Sequence, residues 1–240
     1  MKFNEEAHDV LRSNLNAIGV IASTLGVIIG ISGMGHGFFE ALQGNRATNG
    51  FIIYAVGKGN QYTRWTNGNE GAFTLIPNFL ITGIFAMIIA FLLAIWSVHF
   101  IQTKRGSSVF LLIGTILFLV GGGVAQLPYI VLTWAVATRI NKPLTWWKTN
   151  ISGNIRSSLA KAWLWTLIVA AFSFLLALEI AIFGFLPGVN NLNMLQIIDW
   201  SILGFATIIL IISIIAGFVH DGEKQVNSAL AQTKKHSEKI

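Results

Sequence analysis

The chain contains no cysteine and few charged residues. Without cysteine it can form no disulfide, no cysteine-ligated zinc site and no thiol nucleophile. Only 11% of its 240 residues are charged and 54% are hydrophobic, whereas a typical soluble domain is about 25% charged. So few charges cannot cover a water-facing surface. The composition therefore excludes a water-soluble protein and favours one embedded in a lipid bilayer.

Motifs for common chemistries are also lacking. There is no GxSxG nucleophile motif, and the run Gly121–Gly123 lacks the lysine of a phosphate-binding loop. No pattern indicates a particular cofactor. The net charge of +6 is explained by cytosolic loops beside anionic lipid, so we expect the bilayer as a partner and no nucleic acid.

Apolar runs long enough to cross a membrane recur along the chain. They predict an all-α integral membrane protein, a single polytopic domain over residues 1–240 with about six transmembrane helices. A helix break is expected between spans three and four, at Gly121–Gly123 and Pro128, so that this pair is short and the fourth partly re-entrant. The predicted spans are about 15–36, 79–101, 107–124, 128–140, 162–184 and 197–219.

The positive-inside rule favours a cell membrane, inner or plasma, with both termini cytosolic. Six crossings then place every lysine and arginine inside except Arg46, Lys58 and Arg64. Five crossings remain an alternative, but they would put the Lys104–Arg105 pair outside and need one overlong helix through the glycines. The six-span arrangement predicts three connecting or terminal segments: a long extracytoplasmic loop at 37–78, a basic cytosolic loop at 139–161 and a polar cytosolic tail at 220–240.

The first span is rich in glycine at a spacing that permits close helix packing. Two GxxxG pairs occur, Gly26 with Gly30 and Gly33 with Gly37. In lipid, small residues at this spacing allow two helix backbones to approach each other. We expect intramolecular packing on this face, with a homo- or hetero-oligomer through the same helix as the alternative.

Five polar residues in or beside the spans fall on the same predicted side of the membrane: His36, Glu40, Gln126, Glu179 and Asp199. A carboxylate in hydrocarbon is costly and usually faces a cavity, a partner or a pathway. We therefore predict that the five converge on an outer-facing intramembrane site with Glu179 as its central carboxylate. As alternatives, His36 and Glu40 pair with each other across one helical turn, and Asp199 caps the sixth span.

This arrangement predicts a protein that binds or transports a small polar or cationic solute, or protons, beneath a lid-like loop at 37–78. One alternative is a non-catalytic accessory subunit that docks a partner. A second is a membrane-embedded, metal-dependent enzyme acting on a lipid-like substrate, since one imidazole and three carboxylates are suitable ligands in kind.

Overall fold

A computed structural model describes residues 16–54 and 71–237, and most of this part of the chain is helical. Two short strands interrupt the helices. The elements, in chain order, are α1 (Ala17–Leu42), β1 (Ile52–Tyr54), β2 (Gly71–Phe73), α2 (Phe79–His99), α3 (Gly106–Leu119), α4 (Gln126–Ala137), α5 (Thr145–Asn150), α6 (Gly153–Phe183) and α7 (Leu192–Ser237).

Four of these helices are long and apolar enough to cross a membrane: α1, α2, α6 and the Leu192–Val226 part of α7. Helices α3 and α4 are apolar but shorter. With 14 and 12 residues, they are about 21 and 18 Å long, less than the ~30 Å hydrocarbon core. The prediction of a mostly helical membrane protein is confirmed at this level. The number of crossings and their orientation stay predictions.

Helices α1 and α2 form a closely packed antiparallel pair. Gly26 lies against Ser97, and a side chain at Gly30 would lie 2.8 Å from the Ala94 Cβ. One turn before the end of α1, a side chain at Gly37 would lie 2.6 Å from the Gly83 carbonyl oxygen. The GxxxG residues therefore face α2 of the same chain, which supports intramolecular packing. An oligomer through these glycines stays without support from the structure.

The beginning of α1 is capped by a residue of α7. The two carboxylate oxygens of Asp221 accept hydrogen bonds from the Ala17 and Ile18 backbone N–H groups, each at 2.9 Å. The Asn16 side chain accepts a third bond, from Gly19 N–H, at 3.0 Å. The first N–H groups of a helix have no partner within the helix, so this capping ties the start of α1 to the distant end of the chain.

At the opposite end of the helices, strands β1 and β2 form an antiparallel hairpin that pairs Ile53 with Ala72. The hairpin is bonded to the segment between α3 and α4: Gly121 N–H donates to the Phe73 carbonyl at 3.0 Å and Val124 N–H to the Gly71 carbonyl at 2.9 Å. We call this region the hairpin end. It contains the end of α1, the start of α2 and the break between α3 and α4.

Three predicted boundaries differ from the structure. Helix α1 continues past His36 to Leu42, because the residues after Gly37 include neither glycine nor proline until Gly44. The predicted 139–161 loop contains α5 and the start of α6, and the predicted 220–240 tail continues α7 as far as Ser237. Residues 1–15 and 55–70, which include much of the predicted lid, lie outside the described residues.

Candidate functional site

A cavity of about 140 Å³ lies between α1, α4, α6 and α7. It reaches the first residues of α4 and the last turns of α6, and so lies in the half of the helices nearer the hairpin end. Most of its lining is aliphatic or aromatic. The lining residues are Leu25, Ile28, Ile29, Ser32, Ala125, Gln126, Tyr129, Phe174, Ala177, Leu178, Ala181, Asp199 and Leu203.

The polar groups of the cavity include two buried oxygen atoms without a hydrogen-bond partner. Gln126 is 5% exposed, and its Nε2 donates to the Ser32 hydroxyl at 3.0 Å. Its Oε1 is buried and accepts no bond from the described part of the protein, and the same holds for Asp199 Oδ1. Buried polar atoms are usually paired. Two acceptors without partners beside a cavity indicate a place for a ligand that donates hydrogen bonds.

The hydroxyl group of Tyr129, one turn after Gln126 on the same helix, already has a hydrogen-bond partner. The Tyr129 hydroxyl shares a hydrogen bond with the Thr207 hydroxyl at 2.9 Å, and the Tyr129 ring contacts the Phe174 ring edge to face, with centroids 5.2 Å apart. Both rings therefore offer apolar surface to an occupant. The cavity combines this apolar wall with the acceptors of Gln126 and Asp199.

Local sequence explains where the two acceptors lie. Gln126 is the first residue of α4, because the glycine-rich break ends just before it. Asp199 lies in the third turn of α7. The first turn of α7 is capped by Asn191, whose side chain accepts bonds from Asn193 N–H at 2.9 Å and Met194 N–H at 3.1 Å. The alternative that Asp199 caps the sixth span is therefore wrong.

The other predicted site residues do not line this cavity. Glu179 is exposed on α6, although Ala177, Leu178 and Ala181 of the same helix line the cavity. His36 and Glu40 lie farther along α1 than Ser32, the last lining residue of that helix. The structure thus brings Gln126 and Asp199 together and leaves Glu179 on another face of α6. It provides no support for Glu179 as a central carboxylate.

Glu40 occupies a separate environment at the hairpin end. Its side chain is completely buried and lies against Gly121, where an added side chain would contact both carboxylate oxygens. Neither oxygen has a hydrogen-bond partner among residues 16–54 and 71–237. The predicted pairing of Glu40 with His36 is therefore not formed as a hydrogen bond to either oxygen.

No group of three histidine, aspartate or glutamate residues that could hold a metal ion occurs within the described ranges. Asp199 lines the cavity, Glu40 is buried against Gly121 and Glu179 is exposed on α6. The alternative of a metal-dependent enzyme gains no support from this arrangement.

Two kinds of residue were not predicted from the sequence: those that line the cavity and one that caps a helix. Ser32 and Tyr129 line the cavity, and Asp221 fixes the start of α1. Ser32 lies four residues before His36, so a search for polar residues along one face of the first span would have found it. Asp221 carried a weaker signal, an acidic residue directly after an apolar span.

The fold defines the chain as a helical, membrane-embedded protein with an amphipathic cavity among its helices. No protein-family model, curated protein or solved structure matches it. A functional assignment therefore depends on the geometry of the cavity.

Proposed function

We propose that this protein binds a small organic amine in the cavity between α1, α4, α6 and α7. The observation that carries the proposal is a pair of buried acceptor atoms, Gln126 Oε1 and Asp199 Oδ1, on a cavity that both residues line. Neither atom has a hydrogen-bond partner in the described part of the chain. The two residues are 73 positions apart in the sequence and belong to different helices, so only the fold brings them to one cavity.

Charge and size define the ligand class further. A carboxylate beside apolar walls favours a cationic donor, because hydrogen bonds between ionised groups are stronger than neutral ones. The aromatic side chains of Tyr129 and Phe174, which line the cavity, favour an apolar body next to that donor. The volume of about 140 Å³ is close to that of a protein cavity that holds benzene, ~150 Å³. The ligand is thus an amine attached to a single ring or a short alkyl chain.

Benzylamine is a suitable probe, with benzyl alcohol and toluene as analogues of the same shape. We expect benzylamine to raise the thermal unfolding temperature of the protein purified in detergent, benzyl alcohol to do so weakly and toluene least. The Asp199→Asn variant should lose about tenfold or more in benzylamine affinity, since a charged hydrogen bond contributes roughly 1.5–3 kcal/mol. Isothermal titration calorimetry measures that loss. Gln126→Met should weaken binding to a smaller extent.

Glu179→Gln is the matched control, because it removes a carboxylate from an exposed position on α6. It should bind benzylamine as the unmodified protein does. Equal loss in the Asp199 and Glu179 variants would overturn the assignment to this cavity. If none of the three probes binds, the accessory-subunit hypothesis becomes the better account of the protein. Whether a bound solute is also transported is a separate prediction, tested by uptake into proteoliposomes.

A further inference from the structure

The buried carboxyl group of Glu40 forms a second polar feature, distinct from the cavity. Glu40 is 0% exposed, and both of its oxygens lack a hydrogen-bond partner within the described ranges. An ionised carboxylate in such surroundings would be costly, because no donor among the described residues forms a hydrogen bond that compensates for its lost hydration. The ionised form of this carboxyl group is therefore unfavourable.

We infer that Glu40 is a proton-binding site: its buried side chain holds one proton in this arrangement of the hairpin end. The step is simple addition of a proton from water to one carboxylate oxygen, giving a neutral carboxylic acid, and no other bond changes. The inference concerns a different group from the amine cavity and does not depend on the proposed function.

Among the described residues, the nearest charged one after Glu40 is Arg46, which is exposed and donates from its Nε to the Gln43 carbonyl at 3.0 Å and not to Glu40. Gly83 of α2 contacts Ala41, the next residue of α1, and Gly121 covers the carboxyl group. The described segments 71–87 and 119–125, which include β2, the first half of α2 and the helix break, contain no acidic or basic residue. The ionisable neighbour on α1 itself is His36, one turn earlier.

The cover over Glu40 is held by hydrogen bonds from two directions. Gly121 N–H donates to Phe73 of the hairpin at 3.0 Å, and the Thr82 hydroxyl donates to the Val120 carbonyl at 2.7 Å. Thr82 also shares a hydrogen bond of 2.6 Å with Thr74. Since the Glu40 side chain is 0% exposed, we expect exchange of its proton to require movement of this cover.

Infrared difference spectroscopy of the full chain in lipid nanodiscs tests the inference. The carbonyl stretch of a protonated carboxylic acid is separate from the carboxylate bands. We expect the unmodified protein to show such a band at neutral and mildly alkaline pH, and the band should be absent from both Glu40→Gln and Glu40→Met. Its shift in heavy water should develop slowly, because the proton is covered.

Thermal stability and ion dependence provide further tests of whether Glu40 holds a proton. Glu40→Met should retain thermal stability close to that of the unmodified protein, since an apolar side chain of similar length replaces a neutral, unpaired group. A protonated-acid band that persists unchanged in both Glu40 variants would overturn the inference. So would stabilisation by added sodium or potassium ions that is lost in Glu40→Gln, because that result assigns the site to a metal cation. Glu179→Gln is the control and should leave the Glu40 band in place.

Discussion

Replacing Gly83 by alanine is expected to destabilise the protein by about 2–3 kcal/mol or more, the range typical of a strongly overpacked interior. A methyl group at this position would contact the Ala41 backbone nitrogen and the Gly37 carbonyl oxygen, and would lie 2.9 Å from the Ala41 Cα. All of these atoms belong to the backbone of α1, so no flexible side chain can move aside. The two helices must separate instead. Thermal unfolding in detergent, followed by circular dichroism, measures the loss.

Gly204→Ala is the matched control for this experiment. The substitution is identical, but no atom of the described residues lies within 4 Å of the added methyl group on α7. We expect no loss, or a gain of up to ~1 kcal/mol from the higher helix propensity of alanine. If the Gly83 and Gly204 variants unfold at the same temperature, the close contact between α1 and α2 does not contribute to stability as described.

Replacing Asp221 by alanine should cost roughly 3 kcal/mol. Asp221 is 7% exposed, and its loss leaves the Ala17 and Ile18 N–H groups without their acceptors. A buried donor without a partner costs ~1–3 kcal/mol, and a negative charge at the start of a helix also interacts favourably with the helix dipole. Asp221→Asn, which keeps one acceptor oxygen, should lie between the alanine variant and the unmodified protein. Chemical unfolding in mixed micelles measures the series.

Glu223→Gln is the control for the Asp221 series, because it changes a carboxylate two residues away on the same helix. Glu223 forms an ion pair with Arg156 at 3.0 Å, and both side chains are partly exposed. Such pairs contribute ~0–1 kcal/mol, so the control should have little effect. Hydrogen exchange provides a local measurement: the first turn of α1 should exchange faster in Asp221→Ala only. Equal exchange in both variants would contradict the role of Asp221 as the cap of α1.

The Gly83 and Asp221 substitutions both affect α1, which lies at the centre of the helix assembly. Its glycines fix its distance from α2, and Asp221 fixes its first turn. Helix α1 also contributes Ser32 to the lining of the cavity and carries the buried Glu40. A displacement of α1 would therefore affect both sites, whereas changes at Asp199 or Glu40 alone should affect one of them.

The sequence predicted the helix break correctly because its cause is local. Gly121 and Gly123 have positive φ angles of 102° and 92°, which glycine adopts without strain. Three consecutive glycines also have low helix propensity, so the run favours a helix end through local properties alone. Composition and apolar runs likewise determined the membrane class, because the length of an apolar helix and the cost of burying charge do not depend on the partner helices.

The tertiary structure decided which polar residues meet. Helices such as α6 are apolar around most of their circumference, so the sequence does not indicate which face turns inward. Glu179 is exposed while its neighbours Ala177 and Leu178 line the cavity, a difference set by the rotation of α6 against α1 and α7. Glu40 became buried because α1 continues beyond its apolar run, and Asp221 became a cap because α7 does the same. The sequence of a segment alone indicates whether it forms a membrane helix. The direction in which each side chain points depends on how the helices pack against one another.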